Sequence, residues 1–144
     1  MPVNAGVDQD VALGLPLTIS ASFADPGMLD THTAVILWGD GTQSTGVVDQ
    51  ETRTVNASHI YADVGPFQVT VSVTDDDHAT GSDSLMVNVF NAAPVVITGT
   101  TATANEGVLF NLSTFFTDTG ADETHTALVD FGDASAPAIG VIDP

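Results

Sequence analysis

Apolar and small polar residues alternate one by one along much of residues 1–91. The run Phe67-Gln68-Val69-Thr70-Val71-Ser72-Val73-Thr74 keeps this period of two without a break, which predicts a strand with one buried face. Leu85, Val87 and Val89 alternate with Met86, Asn88 and Phe90 in the same way. Leu17-Thr18-Ile19-Ser20 and Val55-Asn56-Ala57-Ser58 are shorter strands of the same kind. Ala34–Trp38 is almost continuously apolar and reads as a central strand buried more fully than the others. Gly39-Asp40-Gly41-Thr42 follows it directly as a hairpin turn, because Asp-Gly tolerates positive φ. No stretch has helical periodicity. Seven or so short strands separated by Gly, Pro and Asp turns predict an all-β, immunoglobulin-like β-sandwich.

The same pattern then begins again. Residues 23–40, FADPGMLDTHTAVILWGD, match residues 116–133, FTDTGADETHTALVDFGD, at nine of eighteen positions with a constant offset of 93. Upstream, Pro2-Val3 matches Pro94-Val95 and Gly14 matches Gly107; downstream, Val47-Val48-Asp49 matches Val141-Ile142-Asp143 after one inserted residue. A period this long suits tandem small domains, since solenoid units run to roughly 20–50 residues. The boundary is placed at Asn91-Ala92-Ala93-Pro94. Residues 1–91 form a complete unit, and residues 92–144 form the N-terminal half of a second, truncated copy.

Composition narrows the function. The chain has 144 residues, 19 acidic groups and one basic residue, Arg53, for a net charge of −18. Leu, Ile, Val and Phe make up 28% of it, enough for a packed core. With one cation there is nothing to neutralise a row of phosphates, so no nucleic-acid partner is expected. An anionic membrane surface would repel the chain, and no apolar run is long enough for membrane insertion. The start, MPVNAGVDQD, reads as neither a basic nor an apolar leader, so no signal peptide is expected in it. There are no cysteines, hence no disulfide, thiolate metal site or cysteine nucleophile.

Taken together, Trp38-Gly39-Asp40-Gly41-Thr42, then Tyr61, Gly65 and Phe67, then the Val69–Asp77 segment resemble the PKD domain family. Pro2–Gly6 and Phe23-Ala24-Asp25-Pro26-Gly27 share that likeness. The second copy departs from it at Phe131-Gly132-Asp133-Ala134, where Trp becomes Phe and the second turn glycine becomes Ala. The resemblance implies an immunoglobulin-like sandwich of two sheets in an extracellular or cell-surface protein. It would serve there as a spacer, adhesion or interaction unit rather than a catalyst. Trp38 and the Phe67, Val69, Val71 and Val73 face would fill the core, with Tyr61 at one corner. The partners implied are other domains of a parent chain, surface proteins or polysaccharide. An alternative is an accessory module that binds polysaccharide or protein fibres for a secreted hydrolase or protease.

Of the chemistry a sequence can signal, only metal binding stands out. The histidines, His32, His59, His78 and His125, fit no nucleophile or zinc motif, and His32 and His125 are one repeated position. The chain is therefore expected not to be an enzyme. Asp75-Asp76-Asp77 packs three like charges into one turn, stable when solvated or shared with a hard cation such as Ca²⁺. The resemblance implies calcium near the domain's entrance. The carried-over positions are Asp25, Asp30 and Asp75 with Asp77 in the first copy, and Asn91 with Asp118 or Asp122 in an incomplete second site. Asp40 is read differently, as a turn residue accepting backbone N–H bonds.

Overall fold

The computed structural model describes residues 1–27, 29–97, 99, 101, 103–120 and 123–143. Nine strands occupy the first 90 residues: β1 (Val3–Asn4), β2 (Gln9–Ala12), β3 (Pro16–Phe23), β4 (His32–Leu37), β5 (Gln43–Thr45), β6 (Val47–Asp49), β7 (Thr54–Ile60), β8 (Gly65–Asp75) and β9 (Thr80–Phe90). They form a four-stranded sheet, β1-β3-β7-β6, packed on a five-stranded sheet, β2-β9-β8-β4-β5. Neighbouring strands are antiparallel except β2, which runs parallel to β9 from Gln9↔Val87 to Ala12↔Phe90.

Alternation decides which residues go inside. Val69, Val71 and Val73 of β8, Leu85, Val87 and Val89 of β9, and Leu17, Ile19 and Ala21 of β3 are all buried in one core. Trp38 and Tyr61 lie in that core at 1% exposure each, with their polar ends satisfied. The Trp38 indole donates to Ser44 Oγ at 3.0 Å, and the Tyr61 hydroxyl donates to the Trp38 carbonyl at 2.9 Å. Burial, and to a lesser degree the charge of Asp40, pushes the Tyr61 phenol up to about 12.

Two expectations are corrected by this arrangement. β4 is not buried on both faces: its burial alternates, with Val35 and Leu37 about half-exposed. The outer face of the five-stranded sheet is open, so an apolar run there covers only one core face. In the β4–β5 hairpin, positive φ falls on Gly39 (83°) and Gly41 (91°), not on Asp40. Asp40 instead accepts from the Thr42 N–H at 2.9 Å, as its turn role predicts.

The described residues of 92–143 include four further strands: β10 (Val95–Ile97), β11 (Phe115–Thr117), β12 (Ala127–Val129) and β13 (Ala138–Gly140). The pairing Val96↔Phe116 reproduces Val3↔Phe23 at an offset of 93. Ala127↔Gly140 reproduces the approach of Gly46 N–H to the Ala34 carbonyl, with the inserted residue taken up between β12 and β13.

The chain enters and leaves residues 1–91 at opposite ends of the sandwich. A Cβ on Gly81, at the start of β9, would collide with the Met1 carbonyl, and Ala24 N–H donates to the Pro2 carbonyl at 3.0 Å. The exit follows Phe90, at the far end of the 11-residue β9.

Candidate functional site

Three elements converge beside the entrance. Asp25 lies just after β3, Asp30 shortly before β4, and Asp75 ends β8 directly opposite His32 in the β4–β8 register. One carboxylate oxygen from each of Asp25, Asp30 and Asp75 falls within 4.8 Å of the others. Asp77 does not join these three. Asp76 lies close by and accepts from Thr31 N–H at 3.3 Å.

The cluster rests on a buried histidine. His32 is 4% exposed; its Nε2 meets Asp25 Oδ2 and its Nδ1 meets Gln50 Oε1, both at 2.9 Å. Gln50 is held in turn by donating to the His32 carbonyl at 2.8 Å. Phe23 packs against the imidazole with ring centres 4.6 Å apart. The only basic side chain completes the arrangement. Arg53 Nη1 lies 3.1 Å from both ring nitrogens, and Nη2 donates to the Gly27 carbonyl at 2.9 Å.

The two loop carboxylates feel opposite fields. The Gly27 N–H and then the His32 hydrogen bond hold Asp25 below its ordinary value. Desolvation, followed by repulsion from Asp25, Asp76, Asp75 and Asp77, raises Asp30. The Asp30 carboxylate folds over Gly27, into space a Cβ would fill. Three carboxylates crowded in this way form an oxygen-only donor set that suits a hard cation, with carbonyls or water completing a shell of 6–8.

The second segment repeats the motif. Asp118, Glu123 and His125 converge, His125 Nε2 meets Asp118 Oδ2 at 2.7 Å, and Phe116 lies 4.8 Å from the His125 ring. The His125 hydrogen bond lowers Asp118. Each member sits 93 positions after its counterpart, and the Glu123 carboxylate folds over Gly120 as Asp30 does over Gly27. Of the sequence candidates, Asn91 is exposed beyond β9, and Asp122 lies outside the described residues. Glu123, Gln50 and Arg53 were not among the candidates. The offset of 93 could have found Glu123, whereas nothing local marks the other two.

A further histidine site is structural in character. His59 stacks on Trp38 at 4.8 Å, meets Tyr61 edge-on at 4.6 Å, and binds Asp40 Oδ2 at 2.7 Å. Burial opposes ionisation of Asp40, but the bonds from Thr42 and His59 outweigh it and lower Asp40.

Comparison with curated proteins finds no match. Among solved structures, the PKD domain of an M14-like peptidase from Thermoplasmatales archaeon SCGC AB-540-F20 is similar. Its TM-score is 0.51 at 20% identity, covering 61% of this chain and 92% of that one; at this identity the likeness concerns the fold. The model of the PKD domain family matches residues 1–89. The chain belongs to the PKD domain family.

Proposed function

We propose that this chain is a spacer and interaction module of a larger extracellular protein, stabilised by calcium at the Asp25–Asp30–Asp75 cluster. Family membership supports a non-catalytic β-sandwich module. The spacer role is carried by one observation: the chain enters beside the start of β9 and leaves past its end. Each complete domain then adds the length of an 11-residue strand, roughly 35 Å, to the span between its neighbours. The calcium reading is supported by the convergence of Asp25, Asp30 and Asp75, whose carboxylate oxygens lie within 4.8 Å of one another; desolvation, and then the neighbouring carboxylates, disfavour the charged form of Asp30, and a divalent cation would relieve that.

The alternative is an accessory module that binds polysaccharide or protein fibres, and its polysaccharide form would need exposed aromatic faces for stacking. Trp38 and Tyr61 are each 1% exposed, and among the described residues of 1–91 Phe90 is the one large aromatic ring that is exposed, which favours the spacer for that domain. Since the chain lacks cysteine, spin labels on Pro2→Cys and Ala92→Cys would report the span directly. A separation near 35 Å is expected from the strand rise, and one below about 20 Å would sink the spacer reading. Millimolar calcium should raise the melting temperature relative to EDTA; superimposable melts would remove calcium from the proposal.

A further inference from the structure

The two segments are joined by Asn91-Ala92-Ala93-Pro94, a link that spans no more than roughly 14 Å when fully extended. Topology decides what so short a link brings together. β2 runs parallel to β9 and ends with Ala12 beside Phe90, and the Leu13 N–H donates to the Phe90 carbonyl at 2.8 Å. The turn from β2 to β3 therefore lies at the exit from residues 1–91. In the second segment, the first residue of β10, Val95, pairs with the last residue of β11, Thr117. The loop that follows, Asp118-Thr119-Gly120, therefore lies at the entrance.

These two features meet at Gly14. Its φ is 76°, and a Cβ there would collide with the Thr119 carbonyl oxygen. The loop holds that oxygen in a tied turn, with Asp118 Oδ1 accepting from the Thr119 N–H at 2.7 Å and the Gly120 N–H at 3.5 Å. The receiving turn is tied as well. Leu15 N–H donates to the Ala12 carbonyl at 3.1 Å, and Gly14 N–H to the Tyr61 carbonyl at 3.4 Å. Both halves recur at the offset of 93. Val108 N–H donates to the Asn105 carbonyl at 3.2 Å, with Gly107 at a φ of 74°. Asp25 Oδ1 accepts from the Gly27 N–H at 3.0 Å, as Asp118 does from Gly120. Positive φ alone is open to Asn as well as Gly; the crowding at Gly14 excludes any side chain.

From this juxtaposition we infer that the β2–β3 turn is a docking seat for the entrance loop of the segment that follows. The joint is then set by contact and not by the linker alone. The occupant is a domain of the same kind in the same chain. Because seat and loop lie at opposite ends and both recur, the contact is head-to-tail and repeats without closing. The inference deepens the spacer reading and rests on it. The Pro2 and Ala92 labels test the span of residues 1–91, the labels below test the joint, and either can fail alone.

Spin labels on Ser58→Cys in β7 and Leu128→Cys in β12, both exposed, report the joint in the full chain. A free link of this length would spread their separation by roughly 10 Å. The parent is expected to give one peak less than half as wide. Gly14→Asn keeps the turn but inserts a Cβ, and should broaden the peak ~2-fold towards the free-link width. Gly41→Asn, at a φ of 91° with nothing within 4 Å of an added Cβ, should leave it unchanged. A broad peak in the parent, an unchanged peak in Gly14→Asn, or equal broadening in Gly41→Asn would overturn the inference. In the unlabelled parent, a nuclear Overhauser contact between Gly14 and Thr119 is expected whatever the variants do to stability, and its absence would overturn the inference too.

Discussion

Gly27 illustrates how much a single missing atom can position. Its lack of a Cβ lets the Asp30 carboxylate fold back towards Asp25 and Asp75. Gly27→Ala should push that carboxylate aside and reduce the calcium-induced rise in melting temperature, while leaving the calcium-free melt nearly unchanged. Asp30→Asn separates repulsion from ligation. Asp30 is raised in the fold, so its contribution to stability is full below its ordinary value of 3.8 and is lost as pH rises through the folded value. The variant should therefore melt higher than the parent at neutral pH in EDTA and gain less from calcium. An unchanged calcium response would remove Asp30 from the site.

Asp83 has the opposite sign. The Ala5 N–H, bonded at 2.9 Å, and the Ser84 N–H lower it. Its contribution is present above 3.8 and fades as pH falls through the lowered folded value. Asp83→Asn should melt lower than the parent at neutral pH, with the gap closing in acid; a gap independent of pH would contradict this. Asp25, Asp30 and Asp75 were reached from the sequence through the family resemblance, with the Asp75–Asp77 turn as the one local cue. Arg53 and Gln50 were missed, because their roles come from β6–β7 folding against β4, a contact across about 20 positions with no local signature.

At the scale of elements, β8 is the strand on which the core is built. It lies between β4 and β9, and Val69, Val71 and Val73 are fully buried. Val71→Ala should cost about 2 kcal/mol or more in urea denaturation, combining lost transfer energy with a cavity. Gly46 fails in the other direction. A Cβ there would lie 2.8 Å from Ile36 Cδ1 and closer still to Val55 Cγ1, so Gly46→Ala should cost about 1–3 kcal/mol through overpacking. A neutral effect would mean the two sheets can part locally.

β8, β9, β3 and β7 were all legible from alternation. β1, β2 and β6 were not: at two to four residues they are too short to show a period, and they exist because a longer neighbour offers an edge. β4 was legible as a strand but misread in depth. Composition cannot distinguish an open sheet face carrying Val35 and Leu37 from a covered one.

For the whole molecule, acidic groups outnumber Lys and Arg by 19 to one, and the outer face of the five-stranded sheet carries hydroxyls such as Thr33, Thr70, Ser72 and Ser84. Repulsion within a −18 chain weakens with screening, so added monovalent salt should raise the melting temperature modestly. A fall with salt would show that attraction within the Asp25–His32–Arg53 network outweighs it. The two segments should also differ in amide exchange. β8 and β9 should approach global protection, while β10–β13, with short pairings and exposed Val95, Phe115 and Ile139, should exchange far faster.

Arg53 carries one more consequence. It sits at positive φ with its guanidinium held by Gly27 and His32, and it is the only residue in 144 after which a trypsin-like protease can cut. The folded chain thus presents such proteases with a single bond, locked in a turn that must open before it can be cleaved. Tryptic digestion would yield one cut, and its rate would time the opening of that turn.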